Sequence, residues 1–153
     1  MKTETLSVSV VNPVLNHLHN LGIDCQPYLT SCNISYQLFS EPDNRLSLDD
    51  TDRLFNTLAR GTGRDDIGLV AGANIEARSY NLLQHLFLCS ATLKEALTYM
   101  EQYFILFSDE TPPQVSQLAD GRVRVRFPQS ADQDESARIR QDYTLASFCY
   151  WLK

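Results

Sequence analysis

From Thr92 to Phe107 the chain has the pattern of one well-defined helix. Thr92-Leu93-Lys94-Glu95 is a capping box, in which the threonine hydroxyl and the glutamate carboxylate each satisfy a backbone N–H that the first helical turn leaves open. Behind it Leu93, Ala96, Leu97, Met100, Tyr103, Phe104 and Phe107 recur at intervals of three and four, the period of one helix face. A stripe this wide is stable only against a second layer, so the fold must bring other apolar faces to it.

Those faces are present. Val11, Val14, Leu15, Leu18 and Leu21 form a helical stripe that Asn12-Pro13 can open and Gly22 can close. Tyr28 to Cys32 is a short segment after Pro27, and Glu41 to Arg45 is a turn-rich loop. Ser47-Leu48-Asp49-Asp50 resembles a second capping box. Its helix turns Thr51, Leu54, Phe55 and Leu58 inward and Asp52, Arg53, Asn56 and Arg60 outward, with Gly61 and Gly63 as stops. A short helical piece surrounds Ile67, Leu69 and Val70. Tyr80 to Cys89 is apolar almost all round, which predicts a central helix. A last helix carries Ile139, Tyr143, Ala146, Cys149 and Tyr150.

Pro112-Pro113 closes the long helical region, and Asp120-Gly121 between two alternating segments is a strong hairpin signal. A two-residue loop would place Leu118 opposite Val123 and Ser116 opposite Val125, with Phe127 on the same side and Arg122, Arg124 and Arg126 on the other. The expected fold is α+β, mainly helical with a small antiparallel sheet, in one domain spanning 1–153.

Composition narrows the function. A net charge of −6 disfavours direct contact with nucleic acid, where clustered Lys and Arg supply most of the non-specific affinity. No apolar run is long enough for a signal peptide or a membrane span, which predicts a cytoplasmic protein. Cys25, Cys32, Cys89 and Cys149 lack metal-ligand spacing and read as small core residues; no metal or other cofactor is expected. No cysteine or histidine has a local signature of a nucleophile, so no catalytic set is assigned.

Four residues are candidates for contact with a small molecule. Tyr99 and Tyr103 lie among the aromatic side chains of the clearest helix, and Tyr80 and His85 belong to the apolar segment before it. His85 reads first as a hydrogen-bonded core histidine and second as a pocket group. His17 and His19, two apart on a helix, point different ways and read as boundary residues. The arginine face of the hairpin reads as a solvated strand face rather than a carboxylate site.

Several segments in order carry a family resemblance: Leu21-Gly22-Ile23-Asp24, Pro42-Asp43-Asn44-Arg45-Leu46, Thr62-Gly63-Arg64-Asp65-Asp66-Ile67-Gly68-Leu69 and Ser90-Ala91-Thr92-Leu93-Lys94-Glu95-Ala96-Leu97, with Tyr103 beyond. Together, across roughly residues 10 to 127, the series resembles the N-terminal arabinose-binding-like regulatory domain of one branch of the AraC-type transcription activators. Arg64-Asp65-Asp66 departs from the family turn, which has a proline after the acid. The strand signals are too few for the cupin-like barrel of the sugar-responsive namesake. The resemblance implies a sensor that binds a small-molecule effector and controls DNA binding by a C-terminal helix-turn-helix domain, and it implies a homodimer. Nothing after Phe127 matches that DNA-binding domain, and Trp151-Leu152-Lys153 is an apolar stretch without a terminator, so the expectation is a chain cut before it. The alternative is a protein-interaction and dimerisation module without an effector.

Overall fold

The computed structural model describes residues 3–75, 82–127 and 137–152. Two strand-to-helix units open the fold. Strand β1 (Thr5–Ser7) runs directly into α1 (Val8–Asn20), and β2 (Arg45–Ser47) runs into α3 (Leu48–Thr62). In each unit the last strand residue is the helix cap. Ser7 Oγ accepts from the Ser9 N–H at 3.2 Å, and Ser47 Oγ accepts from the Asp50 N–H at 3.0 Å. The strands pair antiparallel, Thr5 with Ser47, Leu6 with Leu46 and Ser7 with Arg45. The other edge of β1 meets residues 107–109: Ser7 N donates to Phe107 O at 2.6 Å and Asp109 N to Thr5 O at 2.9 Å. Between the units lie α2 (Gln26–Ser31) and a 3-10 turn (Tyr36–Ser40).

The first helix therefore begins earlier than Asn12-Pro13 suggests. Ser7 is the better cap, and Pro13 sits inside α1, where its missing N–H leaves the Ser9 carbonyl without its intrahelical donor. Gly61 does not stop α3, which continues to Thr62 with Gly63 as its left-handed cap.

Helix α4 (Ile67–Ala73) lies against α7 (Arg138–Trp151) in the most extensive helix–helix contact among the described residues. Glycine makes this possible. A Cβ on Gly68 would stand 2.2 Å from the Ile139 carbonyl oxygen, and one on Gly72 would stand 2.6 Å from that of Tyr143.

The second half holds α5 (Leu82–Cys89), α6 (Leu93–Tyr103), a 3-10 turn (Phe104–Leu106) and the hairpin β3 (Gln114–Gln117) with β4 (Val123–Arg126). The Thr92 box forms: Thr92 Oγ1 accepts from Glu95 N at 3.2 Å, and Glu95 Oε2 accepts from Ala91 N at 2.8 Å. Leu93 is an exception to the inward stripe and is exposed. Helix α5 is peripheral rather than central. Leu83, Gln84 and Phe87 face inward, while Leu82 and Leu88 are 54% and 49% exposed.

The hairpin register is one residue away from the expected one. Val115 faces Val125 and Gln117 faces Val123, because the loop holds three residues with Gly121 left-handed at φ 84°. Leu118 N donates to Arg122 O and Gly121 N to Leu118 O, closing a glycine-bulge turn instead of a two-residue one. The slip turns Val115, not Leu118 and Ser116, toward the helices; Arg122, Arg124 and Arg126 remain exposed as expected.

Two hydrophobic clusters result. The larger gathers α1 to α4, and the smaller gathers α5, α6 and Phe107. Val10 packs against both. Helix α7 also joins them, placing Ile139 and Tyr143 in the larger while Phe148 and Trp151 lie against the smaller. Among the described residues there are seven α-helices and two two-stranded antiparallel sheets, the mainly helical α+β fold expected. No described helix is long and apolar enough to cross a membrane.

Candidate functional site

The seam between the clusters contains a cavity of about 70 Å³. Its walls are mostly carbon: Leu6 and Val10 from the first unit, Leu83 and Met100 from α5 and α6, Phe104 from the 3-10 turn after α6, and Phe148 and Trp151 from α7. The volume is room for about two waters at liquid density. The walls belong to both clusters, so any widening separates them.

One end of the cavity is ionic. Arg140, 8% exposed, donates through Nε to Asp52 Oδ1 at 2.6 Å and through Nη2 to Asp52 Oδ2 at 3.1 Å, a bidentate fork. Its Nη1 donates to Glu110 Oε1 at 2.5 Å. Glu110 is held in turn by Ser108, whose hydroxyl donates to Oε2 at 3.1 Å and accepts from the Glu110 N–H at 3.1 Å. Burial works against the charge on Arg140, and the two carboxylates more than offset it, so the guanidinium stays protonated with its affinity for the proton raised. Burial pushes the Asp52 carboxyl above its ordinary range, and the Arg140 fork pulls it back. Beyond Asp52 lies an open polar groove bordered by Asp49, Arg53, Asn56 and Arg138, so the Arg140–Asp52 pair is the wall between apolar cavity and polar groove.

Sequence reasoning placed Asp52 outward and overlooked Arg140. The signal was in the spacing: Leu48, Asp52, Phe55 and Ala59 are one helical row of α3, and Arg140, Tyr143 and Ser147 are one row of α7. A charge inside a buried row requires a buried partner. Here the partners are 88 residues apart in sequence.

Of the four expected contact residues, the three that are described do not line this cavity. His85 is exposed on the outer side of α5 with Cys89, Sγ to Nε2 at 3.6 Å, so it is not a core histidine: an apolar helix at the edge of the fold has a wet side whatever its composition. Tyr99 and Tyr103 are half-buried, one turn apart on α6, with ring centroids 6.0 Å apart. The Tyr99 hydroxyl donates to Glu95 Oε1 at 3.1 Å, and that carboxylate pushes its phenol above the ordinary value. The cavity takes Met100 from this helix and Phe104 from the turn that follows it instead. Tyr80 lies outside the described residues. Of the cysteines, Cys25 and Cys32 are buried as expected, whereas Cys89 and Cys149 are exposed, since α7 turns Tyr143 and Ser147 inward and Cys149 away. Among the described residues no three His, Cys, Asp or Glu side chains are grouped to hold a metal ion.

Comparison with known proteins agrees with this architecture. No curated protein matches the chain. The family model of the arabinose-binding domain of AraC transcription regulators, N-terminal, matches residues 22–153. That family is a regulatory, ligand-sensing part of transcription regulators, a class not usually enzymatic. With the match extending from the end of α1 through α7, the chain belongs to the N-terminal arabinose-binding domain family of AraC transcription regulators.

Proposed function

We propose that this chain is the effector-sensing domain of its regulator and that the effector enters the seam cavity, controlling DNA binding by a C-terminal domain. The observation that carries this is the position of the cavity, whose walls come from both clusters, with α7 contributing to each. At about 70 Å³ it is far smaller than the several hundred Å³ of an ordinary ligand pocket, so an effector must move the clusters apart. A ligand too large for the narrow seam has different affinities for its narrow and widened forms, the one condition under which a ligand shifts a conformational equilibrium. No catalytic role is assigned.

The test is a thermal-shift screen of the purified chain against a metabolite library, repeated on Val10→Phe, which fills the seam from a half-buried position. The expected hits raise the wild-type melting temperature with concentration and leave the variant unmoved. Hits that act equally on both proteins would place the site elsewhere.

A homodimer is a second element of the proposal. Leu145, Cys149 and Leu152 form an exposed stripe on α7 at intervals of four and three, the spacing of a helix–helix seam. Sedimentation equilibrium checks it; a monomer at high concentration rejects it, and a dimer without any library hit supports the interaction-module alternative.

A further inference from the structure

We infer that the seam cavity selects an amine or other organic cation with an apolar body and rejects carboxylates. This rests on the effector-site reading above and adds the charge of the ligand. A lone buried arginine in an apolar cavity would invite an anion, but Arg140 is already committed. Three of its five N–H donors go to Asp52 and Glu110, so its charge is already opposed: one guanidinium stands between two carboxylates and the triad carries one net negative charge.

The hydroxyls around it point the same way. Thr144 donates to the Arg140 carbonyl at 2.9 Å, Ser147 to the Tyr143 carbonyl at 2.7 Å, and Ser108 to Glu110. Their protons are spent on the protein, and what remains toward the cavity is lone pairs, which ask for donors. Apart from the two N–H groups left on Arg140, whose charge the carboxylates oppose, the side-chain donors in the wall are the Tyr143 hydroxyl and the Trp151 Nε1–H, both neutral. Trp151 Nε1 has no partner among the described residues and suits a single oxygen rather than a full negative charge.

The rest of the wall favours a cation too. Phe104, Phe107, Phe127, Phe148 and Trp151 border the space, and aromatic faces attract positive charge through their quadrupole. A sugar fits poorly, because most of its hydroxyls would meet carbon and lose their hydrogen bonds to water.

The experiment is calorimetric titration of the purified chain with four probes: 2-phenylethylammonium, 2-phenylethanol, 3-phenylpropanoate and L-arabinose. The expected order is ammonium, then alcohol, then carboxylate and sugar, with at least a tenfold gap between ammonium and carboxylate. Glu110→Gln keeps an acceptor for Arg140, removes the excess negative charge, and should close that gap by about tenfold. Carboxylate or sugar binding most tightly, or all four binding alike, overturns the charge inference and leaves the effector cavity standing. An unchanged gap in Glu110→Gln, with the variant folded, also overturns it. No heat from any probe overturns the cavity reading together with this one.

Discussion

Gly68→Ala adds one methyl group where α4 meets α7, and the structure sets what it must cost. The new Cβ would lie 2.2 Å from the Ile139 carbonyl oxygen and 3.1 Å from Ile139 Cγ2. Carbon and carbonyl oxygen in contact stand about 3.3 Å apart, so the helices must separate by about 1 Å. Backbone cannot rotate away as a side chain can. Overpacking of this kind costs about 1–3 kcal/mol, and a clash with backbone belongs at or above the upper end. Alanine returns about 1 kcal/mol through helix propensity, leaving a net loss of about 2 kcal/mol. With an m-value of about 2 kcal/mol/M in urea, the midpoint should fall by about 1 M at unchanged m. Leu69→Ala, on the exposed side of the same helix, should stay within about 0.5 kcal/mol of wild type. A Gly68→Ala midpoint equal to or above wild type would refute the close approach and, with it, the seating of α7 that places Arg140.

Four further outcomes follow from the structure. Arg140→Met strands two carboxylates and should cost about 3–5 kcal/mol in chemical denaturation, whereas Arg140→Met with Asp52→Leu should recover a substantial part; a single variant within 1 kcal/mol of wild type, on the scale of an exposed pair, would contradict a buried triad. Cys89 and Cys149 should alkylate quickly at pH 8 while Cys25 and Cys32 resist until the protein unfolds, as read by mass spectrometry; early modification of Cys25 would contradict its burial. Burial pushes the Cys25 thiol up to about 11 from an ordinary 9.0, so its contribution is complete below pH 9 and is lost as pH rises toward 11. Cys25→Ala should flatten that alkaline loss of stability, and an unchanged pH profile would assign it to other groups. Gly121→Val forces a β-branched residue to φ 84° and should cost about 1–2 kcal/mol, with exchange protection lost first at the Leu118 and Gly121 amides.

Local chemistry made much of the helical layer legible. Serine and threonine caps, three-and-four spacing and the Thr92 box mark elements without reference to the rest of the chain, and α3 and α6 begin where those signals put them, although α6 gives way to a 3-10 turn at Phe104 instead of running on to Phe107. Asp120-Gly121 located the hairpin but not its register, because a glycine permits either a two-residue or a bulged three-residue loop, and the choice moves every β3 side chain to the opposite face while β4 keeps its own. For α5, composition said apolar but could not say which side is covered. The ionic end of the cavity was hardest to see: Asp52 reads as an ordinary outward acid of α3, and its partner comes from a helix 88 residues away. Tyr99 and Tyr103 stand apart from the cavity for a related reason. Aromatic residues mark a face of α6, while the cavity is defined by where α7 crosses it.

The double pairing of β1 also bears on how the chain acquires its structure. Its partners are β2, some 40 residues on, and residues 107–109, with Thr5 bonded to Asp109 at a separation of 104. A ribosome emitting the chain in order leaves one edge of this strand open until residue 109 has emerged. The entropy of closing the longer loop exceeds that of the shorter by only about 0.8 kcal/mol, so the penalty is one of time rather than of free energy. Contacts this distant slow folding, and until they form, an unpaired edge is exposed to strands of other chains. Asp109, which accepts from both the backbone and the side chain of Thr5, is then the latch of the N-terminus: substitutions there should show themselves in refolding rate and expression yield before they show in any ligand assay.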